Sequence, residues 1–132
     1  MAQVKSATFS LMNWRNAIQV TNYTVIILPL AKKDIYAYTD YIAYELSSPK
    51  TALKMAEELQ NTINTLSIFP YKHQLDNDPN LSKLGIRTMY YKKFKIFFSI
   101  FEKEKIIYIL RVIHTSEYSR NINKIINSYK PI

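Results

Sequence analysis

The sequence predicts an α+β fold in which a helical hairpin packs on a small, mainly antiparallel sheet, in the order β-α-α-β-β-β-α. Two observations predict it. Apolar residues recur at three- and four-residue steps through two consecutive stretches between residues 30 and 68, with a Ser47-Ser48-Pro49 break between them. After Gly85 the pattern changes to dense aromatic and β-branched runs, Arg87 to Tyr91, Phe94 to Phe101 and Ile106 to Ile113, joined by short polar connections. Short connections make those three strands antiparallel neighbours, and the helical hairpin then covers one face of their sheet and leaves the other available.

Residues 1–22 lack a clear period, although Leu11, Trp14 and Ile18 fit one side of a short helix, and they read as an appended segment before a domain spanning 23–132. Tyr23 to Leu28 is a β-branched run ended by Pro29, which cannot donate to a ladder, and it is the first strand. From Leu30 to about Leu46, Ile35, Tyr38, Ile42 and Leu46 form the stripe of an amphipathic helix. Ser48 then caps a second helix that accepts Pro49 in its first turn, and Met55, Ala56, Leu59, Ile63 and Leu66 form its apolar stripe to about Ile68. Tyr71 to Leu84, with Asp76, Asn77, Asp78, Pro79 and Asn80, reads as polar, turn-prone loop. Tyr118 to Tyr129 is the final helix, with Tyr118, Ile122, Ile125, Ile126 and Tyr129 near one side.

The hairpin from Phe94 to His114 turns at Glu102-Lys103-Glu104-Lys105. With those four residues as the loop, Phe101 pairs with Ile106, Ser99 with Tyr108, Phe97 with Leu110 and Lys95 with Val112. One face then presents Phe94, Ile96, Phe98, Ile100, Ile107, Ile109 and Ile113 to the core, broken only by Arg111, which reads as a structural partner for Asp34 or Glu45. Lys93, Lys95 and His114 gather at the open end of the other face.

Composition narrows the chemistry. At 132 residues and 48% hydrophobic, with a single Gly, the chain is one domain with a core of its own. It has no cysteine, which excludes disulfides, thiolate zinc sites and cysteine nucleophiles. Its two histidines, His73 and His114, show no metal-ligand spacing, so no cofactor is expected. Neither a signal peptide nor a membrane-length apolar run is present, which predicts a cytoplasmic protein with no membrane partner. Residues 1–82 balance seven Lys/Arg against seven Asp/Glu, so the whole net charge of +8 falls on residues 83–132. A one-sided basic half suits a polyanion or an acidic protein partner.

The strand YTVIILPLAKKDI, the helical hairpin, the phrase LSIFP, and then LGIRTMYYKKFKIFFSI and IIYILRVIHTSEY resemble the RelE/ParE superfamily of toxins from bacterial type II toxin–antitoxin systems, over about Tyr23 to Ile126. The resemblance implies a small α+β fold and a cognate antitoxin partner whose acidic or amphipathic segment wraps the toxin. It implies one of two activities: ribosome-dependent cleavage of messenger RNA, as in RelE-like and YoeB-like members, or poisoning of DNA gyrase, as in ParE-like members. An inactive, antitoxin-binding member is a further alternative. Under the ribonuclease reading, which the basic second half favours, Lys95 stands where those members keep an arginine and His114 near the histidine that YoeB-like members use, which makes these two the catalytic candidates. Arg87, Lys92, Lys93 and Tyr118 are then candidates for phosphate or RNA contact. Such an enzyme needs no metal: an acid, a base and cations suffice for attack by a 2′-hydroxyl. The chain departs from the pattern in two places. Thr115, Ser116 and Glu117 follow His114 where many members have a basic cluster, and no residue matches the glutamate of the YoeB-like site.

Overall fold

The computed structural model describes residues 22–117. The order is β1 (Thr24–Ile27), α1 (Pro29–Asp40), a π-helical turn (Tyr41–Glu45), α2 (Pro49–Asn64), α3 (Pro79–Ser82), β2 (Arg87–Tyr91), β3 (Phe94–Phe101) and β4 (Ile106–His114), with single 3-10 turns at Thr65–Ser67, Pro70–Lys72 and Thr115–Glu117. The predicted C-terminal helix and Tyr118 lie outside the described residues, as does most of the appended N-terminal segment. The four strands form one mixed sheet in the order β1-β4-β3-β2, with β1 parallel to β4 and the other two pairings antiparallel.

Each helix starts at a proline, whose fixed φ and missing N–H suit the first turn. Ser48 stands at the N-cap of α2, but its hydroxyl donates to Thr51 Oγ1 at 2.7 Å rather than accepting a backbone N–H. The first helix does not run uniformly to Leu46; beyond Asp40 it widens into the π turn. Ala31 of α1, Met55, Leu59 and Ile63 of α2, and Leu66 just beyond it, pack on Phe94, Ile96, Phe98, Ile107, Ile109 and Val112 to form the main core. The helical hairpin thus covers one sheet face, as the periodicity predicts.

The other face is not left open, and here the structure corrects the sequence expectation. The segment between His73 and Ile86 folds over it. Leu81 and Ile86 are fully buried there against Phe97, Leu110 and Ile113. α3 supplies the anchor: Asp78 caps it by accepting the Asn80 N–H at 2.8 Å, Pro79 fills the first turn, and Gly85 takes a φ of +80° that reverses the chain into β2. The asparagines and aspartates that signal a loop are real turn residues, but Leu81 inside them is core.

The hairpin register agrees with the sequence from the turn as far as Phe98↔Ile109 and then shifts. Phe97 faces Arg111, Ile96 faces Val112, Lys95 faces Ile113 and Phe94 faces His114, with Leu110 as the extra residue of a β-bulge. The predicted pairs Phe97–Leu110 and Lys95–Val112 are therefore replaced. Val112 joins the core under the helices and Ile113 joins the opposite cluster. A bulge inverts every side chain beyond it, and His114 is one of those inverted.

Candidate functional site

Past the bulge, β4 has outrun its neighbour, because the parallel pairing with β1 ends at Ile27↔Ile109 and Leu28 N–H donates to the Ile109 carbonyl at 3.0 Å. Two side chains of α1 take over. The Asp34 carboxylate accepts the Val112 N–H at 2.9 Å, and the Tyr38 hydroxyl accepts the His114 N–H at 3.1 Å. Residues four apart on a helix rise about 6 Å, and residues two apart on a strand about 6.6 Å, so one face of α1 serves in place of a strand edge. Asp34 also receives a bidentate pair from Arg111, Nε to Oδ2 at 2.8 Å and a second guanidinium nitrogen to Oδ1 at 2.9 Å. Arg111 is thus a structural residue paired with Asp34, one of the two partners the sequence offered for it.

This arrangement places His114 against α1. Its ring lies 5.4 Å from that of Phe94 and 6.2 Å from that of Tyr38, at one edge of a cleft of about 920 Å³ lined by Asp34, Ala37, Tyr38, Tyr41, Ile42, Lys92, Lys93, Phe94, His114 and Ser116. The Ser116 N–H donates to His114 Nδ1 at 3.2 Å, and the Ser116 hydroxyl lies 2.8 Å from the same nitrogen. A backbone N–H can only donate, so Nδ1 is an acceptor and the neutral ring has its proton on Nε2. Lys92 and Lys93 form the two-residue turn between β2 and β3, with Lys92 at a φ of +52°. Lys92 leans toward Glu58, at 3.4 Å, which also accepts the Tyr91 hydroxyl at 2.6 Å. Lys93 is exposed and makes no ion pair among the described residues.

Lys95 lies elsewhere. It points from β3 to the opposite face, where its Nζ sits 2.7 Å from Asp76 Oδ1 under the 73–86 segment, with Lys95 only 6% and Asp76 4% exposed. Asp76 is fixed in turn: its N–H donates to the Ile86 carbonyl at 2.9 Å, and its second carboxylate oxygen accepts the Asp78 N–H at 2.8 Å. The sequence expectation that Lys93, Lys95 and His114 share an open face is thus corrected. The bulge turns His114 to the helical side, and the covering segment closes over Lys95. Arg87 is at the far end of β2, opposite Phe98, donating to the His73 carbonyl at 2.8 Å and lying over the Tyr71 ring at 4.9 Å. Of the six residues singled out from sequence, the structure brings together Lys92, Lys93 and His114, separates Lys95 and Arg87, and does not describe Tyr118. Among the described residues no group of three or more His, Asp or Glu is placed to hold a metal ion, and no helix is long and apolar enough to cross a membrane.

The fold now has a match. A family profile described as the ParE toxin of the type II toxin–antitoxin system parDE matches residues 25–118, more than half of the chain. The chain belongs to the ParE toxin family. This ParE-family toxin shares its fold with a chain of the chromosomal ParDE toxin–antitoxin system from P. aeruginosa, at 22% identity and a TM-score of 0.58 over 71% of this chain and 97% of that one. It also superposes on a chain of the RelBE2 toxin–antitoxin complex from Mycobacterium tuberculosis, at 18% identity and a TM-score of 0.51 over 70% and 98% of the two chains. No curated protein matches the sequence. The RelE/ParE resemblance read from sequence therefore holds for the family and for the α+β fold.

Sequence reasoning missed the wall of the cleft in this ParE toxin. Tyr38 and Ile42 read as plain core stripe, and Tyr41 drew no attention. The available signal was the i, i+4 pair Asp34 and Tyr38 facing a strand longer than its parallel neighbour, and it becomes legible only when β1 is paired with β4.

Proposed function

We propose that this toxin acts by protein contact on DNA gyrase rather than by cutting RNA. The observation behind this reading is the separation of Lys95 from His114. Acid–base cleavage needs its groups within hydrogen-bond reach of one phosphate, and these two lie on opposite faces of the sheet with Lys95 held by Asp76. Membership of the ParE family supports the same reading, since gyrase is the target that the ParE-like resemblance implies. The gyrase reading requires no catalytic group, only a surface.

A second reading, ribosome-dependent messenger-RNA cleavage, draws support from one feature. His114 with an Nε2 proton, Lys92 and Lys93 line the same cleft and supply a proton donor and phosphate contacts without Lys95. One pair of assays separates the two. With purified toxin, gyrase and supercoiled plasmid, the gyrase reading expects trapped, double-strand-cleaved DNA, and a translating extract with ribosomes is expected to retain its messenger RNA. Messenger-RNA fragmentation with gyrase unaffected transfers the assignment to the ribonuclease reading. Absence of growth arrest on expression without antitoxin overturns both.

A further inference from the structure

The gyrase reading calls for a surface, and the end of the sheet away from the cleft carries one. Between the end of α2 and the edge of β2, residues 67–73 cross the turn end of the sheet as a strap pinned along its length. The Tyr23 N–H donates to the Ser67 carbonyl at 2.8 Å, Pro70 is buried, the Tyr71 hydroxyl donates to Glu102 at 2.9 Å, and Arg87 donates to the His73 carbonyl at 2.8 Å. Between those pins Ile68 and Phe69 face outward, 46% and 65% exposed, and Tyr71 beside them is 49% exposed with the Arg87 guanidinium over its ring. The other phenylalanines among the described residues lie in the core or at its margin. Pro70 also restricts the backbone of Phe69. An exposed aromatic on a pinned backbone, next to a tyrosine stacked by an arginine, has the composition of an interface anchor, and its preorganisation reduces the ordering cost of binding.

We propose that this strap is the surface through which the toxin grips the gyrase protein, with Phe69 seated in an apolar pocket of gyrase and Lys72 and Lys103 facing carboxylates around it. The proposal rests on the gyrase reading and states where on this chain that contact is made. Charge decides between the possible occupants. Lys72 is exposed next to Tyr71, and Lys103 is exposed next to Glu102 in the β3–β4 turn. Glu102 is occupied by Lys105, Tyr23 and Tyr71, so around the strap Lys72, Arg87 and Lys103 outnumber the remaining acid, Glu104. A second copy of this chain is a poor fit, because a two-fold contact sets those cations against their own kind. Duplex DNA suits the cations, but it accommodates a projecting phenylalanine only by prising base pairs apart. A protein pocket rimmed by carboxylates takes the ring and the cations together.

The test uses the full chain with purified gyrase and supercoiled plasmid, reading gyrase binding on a biosensor and trapped, double-strand-cleaved DNA on a gel. Phe69→Ser is expected to weaken binding by about tenfold or more and to lower the trapped DNA at limiting toxin, whereas Phe69→Trp, which keeps the apolar bulk, stays within about threefold of the parent. Lys72→Glu combined with Lys103→Glu is expected to slow association by about threefold or more at low salt, with the difference closing at high salt. Tyr36→Ser, exposed on α1 at the open end of the sheet, is expected to leave both readouts unchanged. Urea unfolding confirms that each variant is as stable as the parent. If the parent traps cleaved DNA and Phe69→Ser traps as much, the surface assignment fails while the gyrase reading stands. A parent that neither binds gyrase nor traps DNA removes the reading and the surface with it. Three further outcomes overturn the proposal. A loss in Tyr36→Ser equal to that in Phe69→Ser moves the contact to the helical hairpin. Binding of duplex DNA alone that Lys72→Glu abolishes makes the strap a nucleic-acid site. A parent dimer that Phe69→Ser dissociates with no change in gyrase trapping makes it a self-interface.

Discussion

Lys95 illustrates how a single buried charge changes the meaning of a mutant. A lysine in the middle of an aromatic strand invites removal as a test of catalysis, yet here it neutralises Asp76 beneath a covering segment. Removing one member of a buried pair leaves the other charged and unpaired, at a cost of about 3 kcal/mol. Lys95→Ala is therefore expected to lose toxicity by losing stability, seen as a lower denaturant midpoint. Lys95→Ala combined with Asp76→Ala is expected to lose less than the sum of the two single changes, by about 1 kcal/mol or more. Additive losses in urea denaturation show that the pair is not coupled. His114 is the cleaner functional probe, since it is only half-buried and its backbone N–H, not its ring, is bonded to Tyr38.

At the level of elements, the junction of α1 with β4 sets the geometry. Asp34 accepts three hydrogen bonds there, from the two guanidinium nitrogens and the Val112 N–H, and both it and Arg111 are mostly buried. Asp34→Ala is expected to destabilise the fold by about 3 kcal/mol. Amide exchange at Val112 and His114 then speeds up more than at Ile107 or Ile109, which stay paired with β1. Uniform acceleration along β4 argues against a local role for the helix. The connection from the π turn to α2 holds a different kind of lever. Ser47, exposed at a φ of +50°, occupies a left-handed position that suits glycine, and Ser47→Gly is expected to stabilise the protein by up to about 1 kcal/mol in thermal or urea unfolding. A loss of stability shows that the serine makes an interaction that outweighs its backbone strain.

Across the whole molecule the sheet has two differently built ends. The open end holds the cleft, while the turn end is closed by Glu102, whose carboxylate accepts from Lys105, from the Tyr23 hydroxyl at 2.7 Å and from the Tyr71 hydroxyl at 2.9 Å. Those bonds, Lys105 first, hold its pKa down to about 2 from an ordinary 4.5. A depressed carboxylate stabilises the fold fully above about pH 4.5, and that contribution drains away as pH falls toward 2. The melting temperature of Glu102→Gln is therefore expected to fall less than that of the parent between pH 6 and pH 2.5; parallel curves sink this account. By sequence alone, the first strand, the helical hairpin, the three consecutive strands, the turn at Glu102–Lys105 and the family were legible. The elements rest on local periodicity and turn chemistry, which any short window of sequence contains, and the family rests on a resemblance spread over the whole domain. The cleft was legible only in parts: Lys92, Lys93 and His114 were singled out, but in the company of Lys95. The face on which a strand-end residue sits depends on every residue between it and the turn, and one extra residue at Leu110 reverses it. Such a bulge has no mark in composition. It persists because α1, brought alongside from far away in sequence, satisfies the N–H groups of Val112 and His114 that no strand reaches, and only the tertiary structure decides that.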